Sequence, residues 1–152
     1  PVYALAECSG QLVSGSYDNT IKVWDPSTWI CQQTLQGHTD FVMALAECSG
    51  QLVSGSYDNT IKVWDPSTWI CQQTLQGHTD VVWALAKCSG QLVSGSGDST
   101  IKVWDPSTWI CQQTLQGHTD VVWALAKCSG QLVSGSGDST IKVWDPSTWI
   151  CQ

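Results

Sequence analysis

Apolar residues along this chain fall in short runs bounded by turn signals, as β-strands do, and the same runs recur. Between Gly37 and Gln76, residues 42–47 are predicted as a first strand ended by the Ser49-Gly50 turn, and residues 51–56 as a second. Tyr57-Asp58-Asn59 makes a tight turn into a third strand over residues 60–64. Asp65-Pro66-Ser67 then breaks the chain, because proline cannot donate to a ladder, and residues 69–75 read as a fourth, outer strand. Leu52 and Val53, like Ile61, Val63 and Trp64, put apolar side chains on both faces of the middle strands. A sheet lying on one core would alternate apolar with polar, so these strands require a sheet packed between two others.

That requirement is met by repetition. The segment starting at Gly37 returns at Gly77, a period of 40 residues, and again from Gly117 to Gln152. Residues 1–36 are a further copy without the leading GHTD, so the chain divides into units of about 1–36, 37–76, 77–116 and 117–152, with no linker or second domain expected. Each unit is a four-stranded antiparallel meander that buries its faces against its neighbours.

Composition narrows the function. The net charge is −7 and there is no arginine, so the positive field that attracts phosphate backbones is missing and nucleic acid is not an expected partner. Apolar runs such as residues 42–46 are far shorter than the roughly 20 residues that cross a bilayer, and the first residues show no signal-peptide pattern. A soluble, cytoplasmic protein with no membrane partner is expected, not a secreted one. Eight cysteines invite a disulfide framework. Cys48 and Cys71, however, should be separated by two strands, roughly 10 to 14 Å at about 4.8 Å per strand, which is too far to bridge. With no CxxC pair either, small buried thiols in a reducing compartment are predicted, with no metal and no cofactor.

Gly37-His38, Ser54-Gly55-Ser56, Asp58 and Trp64-Asp65 occur in order and recur in register, and together they resemble the signature of the WD-repeat β-propeller family. The resemblance covers the whole chain. It implies an all-β fold of four four-stranded antiparallel propeller blades. It also assigns His38, Ser54, Asp58 and Trp64 to a hydrogen-bonded tetrad tying the inter-blade loop to the second and third strands. His78, Ser94, Asp98 and Trp104 repeat it, as do His118, Ser134, Asp138 and Trp144. The first copy keeps Ser14, Asp18 and Trp24 but no histidine, so one tetrad should be incomplete. Ser, His and Asp also make nucleophilic catalysts, which need an exposed serine and an oxyanion site. A triad repeated in every blade points instead to a structural module, and no catalytic residue is predicted.

The copies are closer to one another than drifting natural repeats. The third and fourth agree wherever they overlap, and the first differs from the second only at its first and third positions. The chain thus resembles a propeller symmetrised by design or amplified recently. Five positions vary between copies. The first reads Pro1, Phe41, Val81, Val121; the third Tyr3, Met43, Trp83, Trp123; the seventh Glu7, Glu47, Lys87, Lys127. In the tight turn, Tyr17 and Tyr57 become Gly97 and Gly137, and Asn19 and Asn59 become Ser99 and Ser139. By the family resemblance, the first, third and turn positions lie at the top rim. Tyr3, Tyr17, Phe41, Met43, Tyr57, Trp83 and Trp123 are therefore candidates for docking a peptide or protein. Compensation of volume between adjacent side chains is the alternative, since Trp accompanies a Gly turn.

Two functions stay open from sequence: a self-assembling scaffold with no specified ligand, and a peptide- or protein-binding rim. Four units with unlike open ends favour head-to-tail contacts that continue until they close. Propeller rings hold about 4 to 8 blades, which allows a strained ring of one chain or two chains in a ring of eight; the second is expected, a homodimer whose partner is another copy.

Overall fold

The computed structural model describes residues 1–152, in which fifteen strands and no helix form four antiparallel sheets. The first blade contains β1 (Val2–Cys8), β2 (Gln11–Ser16), β3 (Ile21–Trp24) and β4 (Cys31–Leu35). The second contains β5 (Val42–Cys48), β6 (Gln51–Ser56), β7 (Ile61–Trp64) and β8 (Cys71–Leu75). The third contains β9 (Val82–Cys88), β10 (Gln91–Ser96), β11 (Ile101–Asp105) and β12 (Ile110–Leu115). In these three, spatial order follows chain order, so each is a meander. The fourth has β13 (Val122–Cys128), β14 (Gln131–Ser136) and β15 (Ile141–Trp144), and an isolated bridge from Trp144 to Cys151 marks where its outer strand begins.

Strand limits follow local hydrogen bonding. The third strand starts at Ile61, one residue later than predicted, because Thr60 N–H and Oγ1–H both donate to Asp58 Oδ1, at 2.9 and 2.7 Å. The outer strand starts at Cys71 instead of residue 69. Asp65 Oδ1 accepts from Ser67 N and Oγ at 2.9 and 2.7 Å, and Trp69 closes the turn by donating its N–H to the Asp65 carbonyl. Trp69 adopts φ 58°, a left-handed conformation that no strand continues through. The sequence pattern also did not reveal a bulge in every first strand. Val42 pairs with Ser56 and Ala44 with Gly55, leaving Met43 extra. Tyr3, Trp83 and Trp123 occupy the same bulge. Such an insertion re-aims a side chain at the end of a strand.

The core is the seam between blades. One cluster takes Cys8, Val13, Ile21, Val23 and Leu35 from the first blade and Val42, Leu52 and Trp64 from the second. The second and third seams rebuild it with the equivalent residues. Leu52 faces back to the first blade and its neighbour Val53 forward to the third, which is why the strand is apolar on both sides. Val82 Cγ1 would lie 2.6 Å from a β-carbon at Gly55, and Gly15 stands in the same relation to Val42. Only glycine admits that approach.

All eight cysteines are free, but not all are buried. Cys8, Cys48 and Cys88 are covered by the following blade; Cys128 has no such cover and is exposed. Cys31, Cys71 and Cys111 are half-buried and Cys151 exposed, since the outer strand lies at the periphery. The prediction of uniformly buried thiols therefore holds for only three of them.

A Gly55→Ala substitution should lower stability by about 1 to 3 kcal/mol in urea denaturation, the usual range for overpacking. An unchanged midpoint would mean that the seams are looser than described.

Candidate functional site

Each loop that enters a blade carries a histidine locked on both sides. His38 Nδ1 lies 2.8 Å from Asp58 Oδ2, His38 Nε2 lies 2.7 Å from Ser54 Oγ, and Trp64 Nε1–H donates to the same Oγ at 2.9 Å. With Asp58 ionised, Nδ1–H donates to the carboxylate, Nε2 accepts from Ser54 Oγ–H, and Oγ accepts from the indole, so every group is satisfied. His78, Ser94, Asp98 and Trp104 repeat these contacts, as do His118, Ser134, Asp138 and Trp144. In the first blade Trp24 Nε1 donates to Ser14 Oγ at 2.9 Å and Asp18 accepts from Thr20, with no imidazole between them.

Burial alone would raise the Asp58 and Asp98 carboxyls. Hydrogen bonds from His38 and Thr60, and from His78 and Thr100, outweigh it and hold both well below the usual carboxylate range. In Asp138 the Thr140 hydroxyl is the main cause of the same lowering, joined by His118 and opposed by desolvation. Ser54, Ser94 and Ser134 are fully buried, with the hydroxyl between imidazole and indole, and no substrate can reach it.

Of the candidate rim residues, five form one row. Tyr17 stacks on Phe41 at 3.9 Å between centroids, Phe41 meets Tyr57 at 5.5 Å, Tyr57 meets Trp83 edge-on at 5.9 Å, and Trp83 meets Trp123 at 4.7 Å. The row crosses all three seams. Tyr3, exposed, and Met43, half-buried, stand outside it. Backbone bonds hold the turn against the first position: Tyr57 N–H donates to the Phe41 carbonyl at 2.8 Å and Gly97 N–H to that of Val81 at 2.9 Å. A β-carbon at Gly137 would lie 3.1 Å from Trp123 Nε1, so the pairing of Trp with a Gly turn has a steric reason there.

The two end faces of the arc, which the count of units already left open, are uncovered. Val2 is 61% exposed where its equivalent Val42 is 0%, and Ile141 is 73% exposed where Ile61 is 1%. Gly15, Gly55 and Gly95 each seat a valine of the next blade, whereas Gly135 meets only Ala124, at 3.9 Å. The empty seat opens into a recess lined by Ala124, Leu125, Val133 and Ile141.

Successive seamed meanders with this loop tetrad define a WD-repeat propeller arc. Residues 1–25, 29–65, 69–105 and 109–145 each match the family described as WD domain, G-beta repeat, and the chain belongs to that family. Its fold is also that of the computationally designed Ika4 protein, with a TM-score of 0.87 and 40% identity over 95% of this chain and 91% of that one. WD repeat-containing protein 86 of Homo sapiens is 50% identical over 38 residues, which are 25% of this chain and 10% of the human protein. The chain spans about a tenth of that relative's length.

His78→Ala should lower stability by about 1 to 3 kcal/mol, because Ser94 and Asp98 lose a buried partner. An unaltered thermal melt would remove the tetrad's structural role. The lowered Asp58 and Asp98 carboxyls contribute stability that is complete above the unfolded value, about 3.9, and is lost as pH falls toward the folded one. Urea midpoints should accordingly be level between about pH 5 and 7 as far as these groups act, and should fall below about pH 4. Asp98→Asn should flatten that acid limb.

Proposed function

We propose that this chain is a non-catalytic propeller scaffold that pairs head to tail with a second copy to close an eight-bladed ring. The observation that carries the reading is the complementarity of the two end faces. Val2, Leu12 and Trp24 on the first blade are equivalent to the residues that the second blade contributes to a seam. Cys128, Val133, Ile141 and Val143 on the last blade are equivalent to what the first contributes. The first face carries the whole of one half of a cluster built three times inside the chain and the last face all of the other half but the equivalent of Leu35, and the open seat at Gly135 suits Val2 of a second copy. Such paired apolar faces favour association, and unlike ends favour a closing, heterologous contact. The buried tetrad serines support the absence of catalysis, the near-identity of the copies suits a symmetrised propeller, and free thiols suit the cytoplasm. A second reading, supported by the aromatic row, is a rim that docks a peptide or protein.

Light scattering should give about twice the 16.5 kDa chain mass, insensitive to modest dilution if each seam approaches the size of stable interfaces. Gly135→Ala should leave the chain folded, its new methyl facing only Ala124, yet drive the mass toward that of one chain. A single-chain mass for the unsubstituted protein overturns the ring.

A further inference from the structure

We infer that the rim of the third and fourth blades is a site for cationic side chains, taking a short arginine-rich peptide; this deepens the rim-binding reading and rests on it. In the first two blades the turn carries Tyr17 or Tyr57, whose rings fill the space beside the first strand. In the last two the turn is Gly97 or Gly137, and a carboxylate lies beside that glycine. A β-carbon at Gly97 would lie 2.8 Å from Asp80 Oδ2, and one at Gly137 2.9 Å from Asp120 Oδ2. Each Oδ1 is occupied by the following backbone N–H, at 2.7 Å, while each Oδ2 accepts no bond. Both aspartates are exposed.

Beside the free oxygen of Asp120 stands an indole. Trp123 Nε1 and Asp120 Oδ2 lie 3.1 and 2.9 Å from the same point next to Gly137, and Trp123 is half exposed. Trp83 is its partner at 4.7 Å. A guanidinium laid on an indole within about 6 Å of the ring centroid gains a cation–π contact, and here it also reaches a carboxylate. The six lysines lie elsewhere: Lys22, Lys62 and Lys102 donate to Thr34, Thr74 and Thr114 of the outer strands, Lys142 lies along Gly117, and Lys87 and Lys127 sit at the opposite end of the first strand. With a chain charge of −7, the rim's chemistry complements a basic ligand and opposes an acidic one.

The test is calorimetric titration of the full chain with an acetylated, amidated tri-arginine peptide, with tri-glutamate and tri-leucine peptides as comparisons. Tri-arginine should bind saturably, and the double variant Asp80→Asn with Asp120→Asn should weaken it about tenfold or more while leaving the melt unchanged. Trp123→Leu should weaken it similarly, with folding checked by the same melt. Equal binding by the double variant, or no saturation by tri-arginine, overturns the cationic site. If tri-leucine or tri-glutamate binds instead and Trp123→Leu abolishes it, the rim reading survives and this inference falls. If no peptide binds, both fall.

Discussion

A blade of this propeller has two apolar faces, and it can cover neither by itself. Leu52 and Val53 are adjacent in β6 and point to different neighbours, so the blade is stable only as the middle layer of three. Each aliphatic side chain fully withdrawn from water contributes about 1.5 to 3 kcal/mol before ordering costs, and each seam withdraws several. The valine seated on glycine follows from the same constraint. Blades must approach until side chains of one meet the backbone of the next, and Gly15, Gly55 and Gly95 stand where they do.

The tetrads depend on that packing and in turn fix what packing leaves free. A loop crossing between blades has polar backbone groups and few apolar ones. Anchoring His38 to Ser54 and Asp58 turns the crossing into part of the second blade, and Thr39 N–H adds a further bond to Asp58 at 3.1 Å. Because indole, hydroxyl, imidazole and carboxylate form one chain, each member's donor or acceptor role is set by the next. The rim stands on this support, so its residues can vary without disturbing the blades. All three first-blade, second-blade and later-blade versions of the rim sit on nearly the same backbone register.

Strand identity and order were legible because Ser49-Gly50, Asp58 and Pro66 punctuate short apolar runs, and the family signature identified the tetrad residues. Limits were less legible where side chains cap the backbone: Thr60 is held by Asp58, and Trp69 is turned left-handed by the Asp65 turn. The bulge at Tyr3, Met43, Trp83 and Trp123 left no mark in the sequence pattern, since the variable third position can be apolar in either geometry. Sequence placed the aromatic residues together but not in a single row, because contact across a seam depends on the bulge and on which turn carries glycine. Cysteine burial failed for a plain reason: identical residues in identical repeats have different surroundings at the end of an arc.

The repeated seam has one more consequence. Every forward face matches every backward face, so chemistry offers a folding chain several isoenergetic partners for the same strand, and only the covalent connection between repeats tells it which blade comes next. Nucleation can begin at any blade, and at high concentration during refolding one chain's blades can interleave with another's before either arc is complete. Heterogeneity of this kind is kinetic, arising from degeneracy in the code for adjacency, and short tethers between blades are what suppress it.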